Sequence, residues 1–225
     1  MAVPQTPDEL AAEAAAAVAA GAEILHLHPY DDATGAETLS AIPCAAALRA
    51  VRAFCPGIPI SLSTSAEIVP DPRARLELIA GWTELPELVT ANQGEAGIVE
   101  LCEHLMARGV GIEAGLLALQ DARAFLSSKI SGRCVRVLLE PLDAEPEDAV
   151  AHAAAMEQLL ADAGIGLEQV HHGDGPATWN VMQRAVSRGH GIRAGLEDTS
   201  VLPDGRRPAG NADLIRAAVA MLAAG

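Results

Sequence analysis

Two histidines lie two residues apart at the end of an apolar run. The segment AEILHLHP, residues 22–29, contains His26 and His28 and is predicted to be a β-strand. Residues two apart in a strand share a face, so both imidazoles point the same way. Both rings can then bind one divalent ion at ~2.0–2.1 Å. A pair of hydrogen-bonded polar residues at a strand end is the alternative, and the spacing alone favours neither.

A second segment that could do chemistry is GIRAGLED, residues 191–198. In a strand, Arg193 and Glu197 would share a face, and Asp198 would lie at the strand end. If the sheet closes into a barrel, the last strand lies near the first, which makes Glu197 a candidate third metal ligand. Two imidazoles and one carboxylate leave coordination positions for substrate, as at catalytic zinc sites. The alternative is that Arg193 and Glu197 form a salt bridge that only fills the barrel interior, and the spacing favours this no less than a metal site.

Alternating helices and strands must position these side chains. We predict helices over residues 7–20, 41–54, 71–82, 95–108, 119–129, 146–163, 176–188 and 209–224. We predict strands over residues 22–29, 58–64, 87–92, 110–116, 134–142, 168–175 and 191–198. This alternation, without hairpin turns, indicates right-handed βαβ units and a parallel sheet. A doubly wound sheet is disfavoured because no GxGxxG follows the first strand and polar residues crowd at several strand ends.

Composition limits the class of protein. The chain has 225 residues, 50% of them hydrophobic, which is enough for one sizeable core in a single domain. A net charge of −15 argues against a general nucleic-acid partner, which would need a basic face. Four widely spaced cysteines without a CxxC pair indicate reduced thiols and a cytoplasmic protein. No apolar stretch is long enough to predict a membrane span or a signal segment.

Five segments in order carry a family resemblance: TPDELAAEAAAAVAAGAEILHLHP, ISLSTS, VHHGDGPATW, RGHGIRAGLEDT and NADLI. Together they resemble the β-keto acid cleavage enzymes, which include the 3-keto-5-aminohexanoate cleavage enzyme. The resemblance implies a (β/α)₈ TIM barrel with a divalent metal, usually zinc, held here by His26, His28 and Glu197. It also implies that a β-keto acid and acetyl-CoA react to give acetoacetate and a new acyl-CoA.

The resemblance also implies roles for single residues. Asp198 is the base candidate and Arg193 orients it. Ser63, in the segment LSTS, matches a family serine that holds the substrate, and a turn-forming hydroxyl is the alternative for this residue. The metal would polarise the ketone of the β-keto acid as a Lewis acid.

Three further residues are candidates for substrate contact. Asn92 ends a predicted strand. Glu113 interrupts an apolar strand, where an unpaired charge would cost several kcal/mol, so it must be paired or functional. His172 lies at another predicted strand end, while its neighbour His171 points to the opposite face and is predicted to be structural.

The first element departs from the family pattern. Family members begin with a strand that carries site residues, whereas this sequence begins MAVPQTPDEL, just before the first predicted helix. We therefore expect residues 1–225 to form one N-terminally short TIM-barrel domain that lacks the first strand, with seven parallel strands and eight helices.

Two other functions are weighed against β-keto acid cleavage. An amidohydrolase-like metal-dependent hydrolase also uses HxH at a strand end, but it usually adds further histidine ligands and a metal-binding aspartate. An inactive homologue would bind a metal or a metabolite without turnover. The resemblance further suggests a homo-oligomer whose partners are the two substrates, with neither nucleic acid nor membrane among them.

Overall fold

The structure is a computed structural model that describes residues 3–224. Within this range eight helices are present: α1 Pro7–Ala19, α2 Ala41–Phe54, α3 Pro72–Ala80, α4 Ile98–Ala107, α5 Leu119–Ser127, α6 Pro146–Asp162, α7 Thr178–Ser187 and α8 Asn211–Ala224. The same range contains seven strands: β1 Leu25–Leu27, β2 Ile60–Ser63, β3 Leu88–Asn92, β4 Gly111–Leu116, β5 Arg136–Leu139, β6 Glu168–His171 and β7 Gly191–Ile192. A 3₁₀ turn, Gly175–Ala177, leads into α7.

The strands follow one another in the sheet in the order in which they occur in the chain, from β1 to β7. The neighbouring strands pair in parallel, as β1 does with β2, β2 with β3, β4 with β5, β5 with β6, and β6 with β7. Each strand is joined to the next by a segment that contains a helix, which is the topology of a TIM-barrel fold. The α/β class, with seven parallel strands and eight helices in the described residues, is therefore confirmed.

The chain divides into two compact units, which we describe separately. Residues 3–91 and 95–112 belong to the first, called the N-terminal unit here. Residues 92–94 and 113–224 belong to the second, called the C-terminal unit. The single-domain organisation of the chain stays a prediction.

In the N-terminal unit, α1 begins with a capping box. The Thr6 hydroxyl accepts from the Glu9 amide at 3.3 Å, and the Glu9 carboxylate accepts from the Thr6 amide at 3.0 Å. Pro7 occupies the first helical turn, where its missing N–H costs nothing. The small buried face of α1 packs against α2. Its buried residues are Leu10, Ala11, Ala14 and Ala17.

In the C-terminal unit, β5 is buried on both faces, as expected for a parallel strand covered by helices. Val137, Leu138 and Leu139 are fully buried. Helix α6 contacts β5, helix α7 contacts β6, and the two helices pack against each other. The buried cluster between them consists of Ala149, Ala153, Ala177 and Val181. Small residues here let helices approach closely in a chain with very few aromatics.

The last strand is shorter than predicted. We predicted residues 191–198, but β7 ends after two residues, and the amide of Arg193 makes the final contact with the carbonyl of His171 at 3.1 Å. The chain then turns, and the amides of residues 198 and 199 both donate to the Gly195 carbonyl. The prediction that Arg193 and Glu197 share one strand face is therefore wrong, because β7 ends before Arg193 and Glu197 lies in the turn that follows.

None of the helices within residues 3–224 is both long and apolar enough to cross a membrane. All four cysteines, which fall in this range, are buried thiols. Burial raises the pKa of Cys44 to about 12 and that of Cys134 to about 11. The thiolate, which is the reactive form, is therefore scarce at these positions near neutral pH.

A buried histidine lies in the helix-covered layer of the C-terminal unit. His171 is fully buried, and its ring stacks on that of His190 with centroids 4.9 Å apart. Burial, assisted by His190 and Arg184, lowers the pKa of His171 to about 3, although Glu157 opposes the shift. His171 is therefore neutral in the folded protein, and its structural role stays a prediction.

This neutral histidine predicts a pH dependence of stability. Below pH 6.5 the unfolded chain protonates residue 171 and the folded chain does not, so stability falls by up to about 1.4 kcal/mol per pH unit. His171→Asn should flatten this fall between pH 6.5 and 5 in urea unfolding. His172, whose pKa is raised to about 10, keeps its stabilising effect throughout this window and loses it only at higher pH. Equal slopes in His171→Asn and the surface control His152→Asn would contradict the assignment.

Candidate functional site

The end of β1 carries the histidine pair. His26 lies within β1 and His28 follows it by one residue, and their Nε2 atoms are 3.1 Å apart. The rings are nearly perpendicular, with centroids 5.0 Å apart. Two nitrogens at this separation can both bind one ion at ~2.0–2.1 Å. The pair thus has the donor type and spacing that a divalent metal requires.

The Nδ1 atom of His28 is hydrogen-bonded to a carboxylate. His28 Nδ1 lies 2.8 Å from Glu37 Oε2, and the Tyr30 hydroxyl donates to Glu37 Oε1 at 3.2 Å. The hydrogen bond from His28 lowers the pKa of Glu37, against an opposing effect of burial. An ionised carboxylate only accepts, so Nδ1 of His28 carries the proton and its Nε2 carries the lone pair, which faces His26 Nε2. The sequence analysis missed Glu37, because a loop residue has no periodicity to reveal it.

The Nδ1 atom of His26, in contrast, faces two hydroxyl groups. His26 Nδ1 is 3.3 Å from both Ser61 Oγ and Thr90 Oγ1. Ser61 is the register partner of His26 in the parallel pair of β1 and β2, so the two side chains stand side by side. Both hydroxyls are buried, and the sequence analysis missed them because isolated strand hydroxyls carry no recognisable motif.

The predicted substrate residue Ser63 is the last residue of β2, just before a loop. Its buried hydroxyl accepts from the Ser65 amide at 3.3 Å, which is the turn contact that was weighed as the alternative. The Ala66 amide donates to Glu95 Oε1 at 2.9 Å. Glu95 in turn pairs with Arg75 at 2.7 Å, and the Arg75 side chain is 1% exposed. This buried ion pair fixes the loop, and substrate binding by Ser63 stays a prediction.

In the C-terminal unit, His172 bridges two carboxylates. Its Nε2 lies 3.2 Å from Glu140 Oε2, and its Nδ1 lies 3.2 Å from Asp198 Oδ1. Burial and Arg193 disfavour the imidazolium, but Asp198 and Glu140 outweigh them and raise the pKa of His172 to about 10. These three side chains also offer a metal-ligand set. Because opposite ring nitrogens face separate carboxylates, the arrangement fits a charged bridge better than one ion.

Arg193 connects the next two acids. Its Nη2 lies 2.7 Å from Glu197 Oε1 and 3.7 Å from Asp198 Oδ1. Burial opposes the charged form, yet Glu197 and Asp198 raise the pKa of Arg193 above its usual value. The turn that carries both acids is attached to the start of α8, because the Leu196 amide donates to Asn211 Oδ1 at 2.9 Å. Arg193 is thus a fixed cation beside Asp198.

Two further predicted residues lie in the same unit. Glu113 is 1% exposed, and its Oε2 accepts from Arg136 Nε at 2.8 Å and Nη2 at 2.6 Å. Its Oε1 is buried and has no hydrogen-bond partner within residues 3–224. The side chain of Asn92 occupies the space left by Gly115, where a Cβ would lie 2.4 Å from Asn92 Oδ1. Substrate contact by Glu113 and Asn92 stays a prediction.

The bridge by His172 predicts strong coupling with Glu140. His172→Asn removes the cation between the buried Asp198 carboxylate and the partly buried Glu140 carboxylate and should cost roughly 3 kcal/mol of unfolding free energy. In the Glu140→Gln background the same change should cost at least about 1 kcal/mol less, because one of those carboxylates is already neutral. A double-mutant cycle from urea unfolding at pH 7 measures this coupling. Additive costs would show that His172 is not the bridging cation.

Several solved protein structures are similar to this chain. The apo structure of ObcA is 18% identical, has a TM-score of 0.76, and the match covers 98% of this chain and 62% of ObcA. The ternary complex of ObcA with a C4-CoA adduct and oxalate gives 18%, 0.77, 98% and 64% for the same quantities. A mandelate racemase/muconate lactonizing enzyme from Roseiflexus sp. is 17% identical with a TM-score of 0.51, covering 83% of this chain and 52% of that one.

These likenesses show a shared fold, and this chain spans less than two thirds of the length of ObcA. No curated protein matches the chain. The profile of one protein family, described as beta-keto acid cleavage enzyme, matches residues 1–130 and 133–224. The chain therefore belongs to the β-keto acid cleavage enzyme family.

Proposed function

We propose that the protein transfers an acyl group between a β-keto acid and acetyl-CoA. The products are acetoacetate and a new acyl-CoA. The observation that carries the proposal is the histidine pair of the family segment HLHP, whose Nε2 atoms lie 3.1 Å apart while each Nδ1 faces a polar partner. The ternary complex of ObcA with a C4-CoA adduct and oxalate supports a coenzyme A thioester and a small carboxylic acid as substrate classes.

A divalent ion, zinc in the first instance, would be held by His26, His28 and Glu197. These residues supply two imidazole nitrogens and one carboxylate oxygen, a donor set used by catalytic zinc. When bound, the ion polarises the keto group of the β-keto acid as a Lewis acid. Arg193 contacts Glu197 and so orients its carboxylate.

Asp198 is the proposed general base. It takes the proton from the carbon between the keto and carboxylate groups of the β-keto acid, which is the most acidic C–H of that substrate. That carbon forms a bond to the acetyl carbonyl carbon, and the thiolate of coenzyme A leaves. The bond to the original keto carbon then breaks as the thiolate takes that acyl group, and Asp198 returns the proton to acetoacetate.

The surroundings of Asp198 suit a base that works by placement. His172 and Arg193 are cations that lie 3.2 Å and 3.7 Å from the Asp198 carboxylate and stabilise its charge. Both contacts also fix the orientation of the carboxylate, and proton transfer depends first on geometry. Ser63, Asn92 and Glu113 Oε1 are proposed to bind the remaining polar groups of the substrate.

The direct test mixes the purified, zinc-loaded protein with acetyl-CoA and a panel of β-keto acids. Mass spectrometry should detect acetoacetate and the matching acyl-CoA in equal amounts. Zinc binding without either product would indicate an inactive homologue. Hydrolysis of amide or lactone substrates would instead indicate an amidohydrolase-like enzyme. We further propose that the protein forms a homo-oligomer, which size-exclusion chromatography with light scattering on the same sample tests. We also propose that the protein is cytoplasmic.

The division between ligand and base predicts two different defects. His26→Ala should lower the bound zinc together with activity, because one nitrogen ligand is lost. Asp198→Asn should keep the zinc and lower turnover by roughly 10²–10⁴-fold, the usual contribution of general acid–base catalysis. Elemental analysis and the acetoacetate assay separate the two effects. Equal zinc loss in both variants would show that the roles are misassigned.

A further inference from the structure

We propose that Glu37 is the positioning residue of the metal site, holding His28 in the tautomer and orientation that present Nε2 to the ion, with Tyr30 securing the carboxylate. This inference rests on the proposed function, since it assigns a role to a residue behind one of the proposed ligands. Metal-bound histidines commonly donate the other ring N–H to a carboxylate, which fixes the ring and raises its basicity as a ligand.

The contact has the distance and chemistry of a charge-assisted hydrogen bond. His28 Nδ1 and Glu37 Oε2 are 2.8 Å apart, within the usual range for an ionic pair. The side chains are 21% and 36% exposed, so water screens the pair only in part. Because the carboxylate is an acceptor only, the Nδ1 proton of His28 has one assignment.

The two histidines differ in this respect. His26 Nδ1 faces the neutral hydroxyls of Ser61 and Thr90 at 3.3 Å, and each hydroxyl can donate or accept. Neither hydroxyl by itself therefore decides whether His26 Nδ1 carries a proton. The anionic support of His28 makes it the better-defined ligand before an ion arrives.

The loop that carries Glu37 is closed on itself. Residues 30 and 37 form an antiparallel bridge, and the Asp31 amide donates to the Ala36 carbonyl at 2.9 Å. The Thr38 amide donates to the Pro29 carbonyl, also at 2.9 Å. The carboxylate is thus delivered by a short loop whose two ends are hydrogen-bonded beside His28. Tyr30 occupies Oε1 and His28 occupies Oε2, so both oxygens of Glu37 are used within this loop.

Charge gives a second consequence. With Glu197 as a ligand, a divalent ion retains one positive charge, and Glu37 compensates it through the His28 ring. Glu37→Gln keeps an acceptor for Nδ1 but removes this charge, whereas Glu37→Ala removes both. The two variants therefore separate the orienting role from the electrostatic one.

The test measures zinc binding without substrate, so it does not depend on turnover. Competition with a chromophoric chelator at pH 7.5 should show zinc binding 10–100-fold weaker in Glu37→Ala than in the wild type. Glu37→Gln should lie between the two, and Tyr30→Phe should weaken binding less than Glu37→Ala does, because it removes one hydrogen bond to the carboxylate and leaves the carboxylate beside His28. Glu67→Ala, which removes an exposed carboxylate from the same unit, is the charge-matched control and should bind as the wild type does.

A spectroscopic signature distinguishes positioning from general stabilisation. In the cobalt-substituted wild type, the His28 Nδ1 proton should give a paramagnetically shifted, exchangeable resonance that is slow to exchange with water. It should broaden or vanish in Glu37→Ala and persist in Glu37→Gln. Thermal melts of the metal-free variants check that the fold is kept, and Glu37→Gln carries the test if Glu37→Ala does not fold.

The outcomes separate this inference from the proposed function. A wild type that binds no zinc would overturn the metal site, and the proposed function with it. A wild type that binds zinc, with Glu37→Ala and Glu37→Gln matching the control, would overturn the role of Glu37 and leave the proposed function standing.

Discussion

A charge removed from water must be compensated where it lies, and this constraint organises the polar residues of the chain. His172 is charged because Glu140 and Asp198 flank it, and Arg193 is charged because Glu197 and Asp198 face it. Each carboxylate in turn is stabilised by the cation that it stabilises. The proposed base therefore belongs to a network whose members hold one another in place, and removing any one changes the surroundings of the rest.

Compensation alone does not identify a functional residue. Arg75 with Glu95 in the N-terminal unit, and Glu157 with Arg184 and Arg188 in the C-terminal unit, are equally well paired and hold loops and helices together. Nor does an unpartnered buried atom identify one, because Arg75 Nε and Arg184 Nη1 are also buried without a hydrogen-bond partner in the described range. Glu113 gives one oxygen to Arg136 and keeps the other buried without a partner in the described range. His26 and His28 turn their Nε2 atoms towards each other while each Nδ1 is occupied.

The sequence predicted the number and order of the helices and strands because the alternation of apolar segments is a local signal. It also singled out the HLHP segment, because two histidines in an apolar strand are costly unless used. It overestimated β7, where alternation continues but the backbone turns at Gly195. Glu37, Ser61 and Thr90 escaped notice because their contacts depend on a loop conformation and on strand register, neither of which leaves a pattern in the sequence.

The strands and loops contribute differently to the histidine pair. Strand β1 fixes His26, and its register with β2 sets Ser61 beside it, so this half is as rigid as the sheet. His28 lies past the end of the strand and owes its orientation to a loop hydrogen bond. A ligand held by a loop can move when an ion or substrate binds, whereas a ligand held by a strand stays in place. A catalytic metal that must accept substrate oxygens during turnover benefits from having one ligand of each kind, because coordination can expand without disturbing the sheet.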